Sequence, residues 1–100
     1  MTGRGLFVVI RRYGPRYDPR KPLEAQPDWE GHRVFMNALE AEGFARLAGP
    51  LAGTDEVLLV FRAESAEEIA ERLKADPWTH SGMLSTERIL RWNLRLGAVA

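Results

Sequence analysis

Residues 6–10 (LFVVI) and 57–61 (VLLVF) are apolar at every position. Both runs are rich in β-branched and aromatic residues and short, which marks strands rather than helices. Successive strand side chains point to opposite faces, so a strand in a sheet with one solvated face alternates apolar and polar residues. These two runs do not alternate. Each needs apolar cover on both sides, and a chain of 100 residues has few elements with which to supply it.

The rest of the chain narrows the choice. The first strand continues to Tyr13. Residues 14–28 hold Pro15, Pro19, Pro22 and Pro27, which excludes a helix or a central strand and predicts a long surface loop. Such loops are either functional lids or disordered. Asp28 suits the N-cap of a helix of about 14 residues ending at Gly43, with Trp29, His32, Met36 and Leu39 on one stripe beside Phe35. The runs 44–53 and 55–63 predict a hairpin around Gly53-Thr54-Asp55, its first strand distorted or ended by Gly49-Pro50. Ser65 and Glu68 have the spacing of a capping box for a second helix, whose stripe is Ala66, Ile69, Ala70 and Leu73. The residue before a proline is biased out of the helical region, so that helix should stop at Asp76-Pro77. Leu90, Trp92, Leu94 and Leu96 alternate with Arg91, Asn93 and Arg95 in a final strand.

The order is βαββαβ. It predicts an α+β, ferredoxin-like antiparallel sheet with two helices on one face, in a single domain over residues 1–100. Two helices cover one face of four strands, and nothing further in the chain is available for the other. A second copy is the simplest cover, because closed two-fold dimers are the commonest oligomers. Two sheets face to face make a dimeric α/β barrel, and a homodimer is the expected partner state.

Charge and composition exclude several function classes. Fourteen basic and 14 acidic residues cancel, without the surplus that general nucleic-acid binding requires. Cysteine is absent, which removes disulfides and thiolate metal sites. The run at 6–10 is too short for a membrane span and lacks the layout of a signal peptide, so a soluble cytoplasmic protein is expected. No Gly-rich phosphate loop in a strand–loop–helix context and no Gly-x-Ser-x-Gly elbow is present. The two histidines and scattered carboxylates lack metal-ligand spacing, so no metal or cofactor is expected.

Candidate chemistry centres on His32 and Asp76. Histidine exchanges protons near neutrality, and His32 on an apolar stripe is either a general acid/base or a core histidine satisfied by one hydrogen bond. Asp76 either terminates a helix or accepts a proton from a histidine ring nitrogen and fixes its tautomer. Trp29 and Trp78 read as apolar walls or as core. Among the strand arginines Arg11, Arg12, Arg91 and Arg95, Arg11 and Arg91 are the candidates to hold an anionic ligand oxygen, the alternatives being rim positions or dimer salt bridges. His80 reads as an exposed turn residue.

An ordered set of these features resembles the YciI-like (YCII-related) family. His32 opens the inward face of the first helix, and Gly43 follows eleven residues later. Gly49-Pro50 comes six residues after Gly43, Asp76-Pro77 and an aromatic end the second helix, Gly82 follows, and the strand-like ILRW closes the pattern. The resemblance spans residues 6–92. It implies a ferredoxin-like protomer paired through its sheets and a His–Asp active-site pair, here His32 and Asp76. It also implies that some relatives are lyases eliminating halide from chlorinated aromatics. Against the family pattern, the loop at 14–28 is long and the hairpin at 53–55 short.

Three functions are compatible with these readings. The first is a lyase or isomerase that moves protons with a His–Asp pair and no cofactor. The second is a non-catalytic dimeric module that binds a small molecule or a partner on the same fold. The third, a cofactor-free monooxygenase of related dimeric barrels, has no residue here pointing to oxygen chemistry. A His32 bonded to Asp76 beside a cavity favours the enzyme; a His32 sealed in core favours the module.

Overall fold

The computed structural model describes residues 4–99; the ends of the expected domain, residues 1–3 and 100, lie outside that range. Four strands, β1 (Gly5–Tyr13), β2 (Ala45–Pro50), β3 (Glu56–Ala63) and β4 (Leu84–Trp92), form one sheet in the order β2-β3-β1-β4. Every neighbouring pair is antiparallel. The fold is the expected ferredoxin-like α+β arrangement. The two doubly apolar runs take the two central positions, as strands without a polar face should.

Register assigns the faces. Phe7 and Val9 lie opposite Phe61 and Leu59. These four residues form one core with Leu39 of α1 (Trp29–Ala41) and Ile69 and Leu73 of α2 (Ala66–Leu73). The intervening residues Leu6, Val8 and Ile10 point the other way, beside Trp92, Leu90 and Leu58. That second face carries exposed apolar side chains: Trp92 and Leu90 are each 41% exposed, and Leu47, opposite Val60, is 59% exposed. Pro50 sits at the end of an edge strand, where its missing N–H disturbs no ladder.

Two helix boundaries differ from the sequence expectation. Asp28 does not cap α1 through its side chain. It adopts a left-handed φ of 61°, and its backbone carbonyl accepts from His32 N instead. The second helix does not run to Asp76. It ends at Leu73, and Asp76 begins a further helix, α3 (Pro77–Ser81), by accepting the Trp78 N–H on its side chain at 3.0 Å. Pro77 occupies the first helical position, where a missing N–H and a fixed φ suit a helix start. Asp-Pro is therefore a start signal here rather than a stop.

The other termini follow the sequence more closely. Gly43 has the left-handed φ, 82°, that ends α1. Ser65 Oγ accepts from Glu68 N, as a capping box requires, but the Glu68 carboxylate returns to Glu64 N rather than to Ser65 N.

The proline-rich loop is tied down. Buried Gln26 donates to the carbonyls of Asp18 and Lys21 and accepts from Asp18 N. The loop leaves β1 at Gly14, whose N donates to Met83 O and where a Cβ would lie 2.0 Å from Gly82 O. Only glycine permits that approach, which holds the end of β1 against the end of α3. Among the described residues no helix is long and apolar enough to cross a membrane.

Candidate functional site

Four elements converge on Asp76. It is fully buried and comes from the start of α3. His32, one turn into α1, places Nδ1 2.9 Å from Asp76 Oδ1 and 3.0 Å from Oδ2. Arg11, fully buried on the helix-side face of β1, donates from one terminal nitrogen to Asp76 Oδ2 at 2.8 Å and from the other to Thr79 Oγ1 at 2.6 Å. The Thr79 hydroxyl in turn donates to the carbonyl of Leu73, so the end of α2 joins the same network.

The electrostatics follow from this packing. Burial alone pushes the Asp76 carboxyl pKa up. The hydrogen bond and charge of His32, the Trp78 N–H and Arg11 outweigh it and hold the group below its ordinary value. Burial pulls the Arg11 guanidinium down, while the Asp76 hydrogen bond and charge act in the opposite sense. The ion pair is thus a carboxylate and a guanidinium in contact, neutral overall.

An ionised carboxylate only accepts, so His32 Nδ1 carries the proton of this hydrogen bond. His32 Nε2 is then the basic nitrogen, and it has no hydrogen-bond partner among the described residues. The ring stacks on Trp78 at 4.0 Å and 7°, and Trp78 Nε1 is fixed on Pro27 O at 2.7 Å. Rotation of the imidazole is restricted on one side by the indole and at one edge by the carboxylate.

The His32 side chain is 13% exposed, and it opens on a cavity of about 300 Å³. Trp29 and Met36 of α1, Leu23 of the loop, Leu59 of β3 and Trp78 give this cavity apolar walls. Its size is at the small end of the range for ligand pockets.

Sequence reasoning grouped His32, Asp76, Trp29, Trp78 and Arg11, and the structure brings these five together. Arg11 differs from expectation in its role. Both of its terminal nitrogens are engaged by protein, so it serves as the counter-charge of Asp76 rather than as a free anion holder. Arg91 does not reach the site. It pairs with Phe7, four residues back along β1 from Arg11, and lies over the Phe7 ring at 5.5 Å. Arg12 takes surface ion pairs with Asp55 and Glu56, and His80 is exposed on α3. Thr79 and Arg46, neither singled out from sequence, belong to the network and to the cavity wall respectively. Thr79 lies three residues after Asp76, within reach of the same arginine fork; nothing in FARLAGPL signals Arg46.

Comparisons with known proteins give the family and the fold. The YCII-related domain matches residues 6–93. The uncharacterized protein YjpA of Bacillus subtilis (strain 168) is 37% identical over 65 residues, which cover 65% of this chain and 75% of YjpA. The fold is similar to that of 5-chloro-2-hydroxyhydroquinone dehydrochlorinase (TftG) from Burkholderia phenoliruptrix AC1100, solved in complex with 2,5-dihydroxybenzoquinone. That match has a TM-score of 0.66 and 22% identity, and covers 88% of this chain and 93% of the other.

Proposed function

The chain belongs to the YCII-related family, and from that premise we propose that it is a lyase- or isomerase-type enzyme acting on a small molecule, with His32 as general acid/base and Asp76 as its orienter. The observation that carries the reading is the direction of the histidine: Nδ1–H is fixed on a buried carboxylate, which leaves Nε2 as the basic nitrogen of a ring that lines a cavity. A core histidine would have no cavity beside it.

The chemistry needs no further group. His32 Nε2 takes a proton from an activated C–H or O–H of the ligand. The released electron pair moves into the ligand skeleton and either expels a leaving group as its anion or is reprotonated at another atom. The first course is an elimination and the second an isomerisation. Imidazolium formation is supported by the Asp76 carboxylate, which stays hydrogen-bonded throughout. The dehydrochlorination named for the structurally similar TftG is an elimination of the first kind.

The test uses halogenated hydroxyhydroquinones as trial substrates and 2,5-dihydroxybenzoquinone as trial ligand. Chloride release by wild type that falls by about two orders of magnitude or more in His32→Gln is the expected result. Ligand binding without any turnover across the trial set would favour the non-catalytic module.

The same reading includes a homodimer joined through the open sheet face. Leu47, Leu90 and Trp92 are the exposed apolar side chains that support it.

A further inference from the structure

Packing alone does not explain why an arginine is buried beneath the His–Asp pair. Arg11 is fully buried in β1 and gives both terminal nitrogens to α3, 2.8 Å from Asp76 Oδ2 and 2.6 Å from Thr79 Oγ1. Its remaining donor, Nε–H, is buried with no acceptor. A buried ion pair is often worth no more to stability than apolar side chains of similar volume, and an unmet buried donor adds to its cost. Such a group in a native protein calls for another explanation. Here the ion pair lies directly behind a histidine that faces a cavity.

Charge counting shows what Arg11 contributes. Asp76 Oδ1 lies 2.9 Å from His32 Nδ1, and among the described residues Asp76 is the one carboxylate within ion-pair distance of the ring. A lone buried carboxylate at that distance favours imidazolium, and a ring protonated at both nitrogens cannot accept a proton. With Arg11 on the same carboxylate, Asp76 and Arg11 are neutral together. A second ring proton would then leave the buried cluster with a net positive charge, which is unfavourable away from water. The other charged or titratable groups of the cavity wall are Tyr13, Glu40 and Arg46. On the adjoining turns Glu30 and Arg33 pair with each other, and Asp28 and His80 are exposed. None of these groups has a hydrogen bond to the His32 ring.

We infer that Arg11 is a positioning residue for the acid/base pair: by neutralising Asp76 and holding it in place, it keeps His32 in the neutral form with its proton on Nδ1, so that Nε2 can act as the base. The inference rests on reading His32 as the acid/base of the site. It concerns the charge and tautomer of the ring, however, and both are measurable without a substrate.

The test is a pH titration of the full chain, isotope-labelled at the histidine nitrogens and followed by nuclear magnetic resonance, with His80→Gln to assign the two rings. The nitrogen resonances distinguish a ring protonated on Nδ1, on Nε2 or on both. At mildly alkaline pH the wild-type His32 ring should be neutral and protonated on Nδ1. Arg11→Gln should take up the second proton at a pH about one unit higher, a tenfold change in the equilibrium. Arg11→Lys, which keeps the charge, should stay closer to wild type. Where Arg11→Gln does not fold, the doubly neutral Asp76→Asn/Arg11→Gln is compared with Asp76→Asn, and the ring should protonate at the higher pH in the variant that lacks the cation. The inference is overturned if the wild-type ring carries its proton on Nε2 or on both nitrogens at that alkaline pH. It is equally overturned if Arg11→Gln titrates as wild type does, if Arg11→Lys shifts as far as Arg11→Gln, or if the double variant titrates no higher than Asp76→Asn. The proposed reaction fails separately: chloride release unchanged in His32→Gln would remove the reaction and leave the titration result standing.

Discussion

Replacing Asp76 by asparagine tests how much of the site is also scaffold. A solvated helix stop would tolerate asparagine with little change. Asp76, however, is fully buried and accepts from three donors: His32 Nδ1, Arg11 at 2.8 Å and the Trp78 N–H at 3.0 Å. Asparagine keeps one acceptor oxygen and places an amide N–H₂ where the other oxygen was. In either amide orientation a donor faces a donor. If the amide nitrogen takes the Oδ2 position it confronts Arg11; if it takes the Oδ1 position it confronts the Trp78 N–H. The lost charge matters more, since Arg11 is left as a buried cation with only the Thr79 hydroxyl at its other nitrogen. Breaking a buried pair from one side costs about 3–5 kcal/mol. His32 can relieve part of this by changing tautomer, so a loss of about 3 kcal/mol is expected. For a domain of this size that lowers Tm by roughly 12–24 °C. The assay is thermal unfolding of wild type, Asp76→Asn, Arg11→Met and the double variant. The double variant should be more stable than the sum of the single losses predicts, because it removes both charges together. A Tm for Asp76→Asn within about 2 °C of wild type would show that the pair contributes little, and the account of Asp76 as a structural counter-ion would be wrong.

Acid stability should carry the same signature. The Asp76 carboxyl is held below its ordinary value of 3.8 in the fold, so its contribution is complete above 3.8 and is lost as pH falls through the lower folded value. Denaturant titrations at stepped pH should show wild type losing stability in that window and Asp76→Asn losing less. The open sheet face should pair: sedimentation should give a particle of twice the 11.3 kDa chain mass, and Trp92→Glu, at a position 41% exposed in the protomer, should return it to one. A wild-type monomer at micromolar concentration would refute the barrel dimer.

Much of the fold was legible because its signals are strong and local. Two doubly apolar runs marked strands that need cover on both faces, and they take the central positions of the sheet. Gly43 and Ser65 mark helix ends by mechanisms that act within a turn. Errors came where a local signal has two outcomes. Asp-Pro can end one helix or begin the next, and the choice was made by a buried acceptor needed in the core. The α1 stripe read as one buried face, yet only Leu39 is fully buried while Trp29, His32 and Met36 line the cavity. Hydrophobic periodicity reports that a face is covered, not whether by protein or by a ligand space. Arg11 and Arg91 were equivalent in sequence, since each lies in a strand-like run directly after an apolar residue, Ile10 and Leu90. Register separates them, placing Arg11 beside α3 and Arg91 at the far end over Phe7. The bulge at Arg46 depends on pairing across strands, which no single segment encodes.

The arrangement around Asp76 explains why His32 can be oriented without being locked in core. One carboxylate accepts from α1, from β1 and from the first turn of α3. Two of those bonds, to Arg11 and to the Trp78 amide, would hold the carboxylate in place without the histidine. The acceptor is therefore fixed in position before His32 adds its hydrogen bond, and the imidazole is aimed by a rigid partner rather than by a mobile side chain. A histidine stacked on a buried indole and bonded at one nitrogen has little rotational freedom, yet it keeps its second nitrogen for the cavity. The dependence is asymmetric: Asp76 is the shared acceptor of Arg11, of the first turn of α3 and of His32, whereas His32 supplies one of the three hydrogen bonds to Asp76 and a stacking contact to Trp78. A stability loss on removing Asp76 with a small one in His32→Gln would express that asymmetry, and it is the pattern that separates a reactive side chain from the scaffold that aims it.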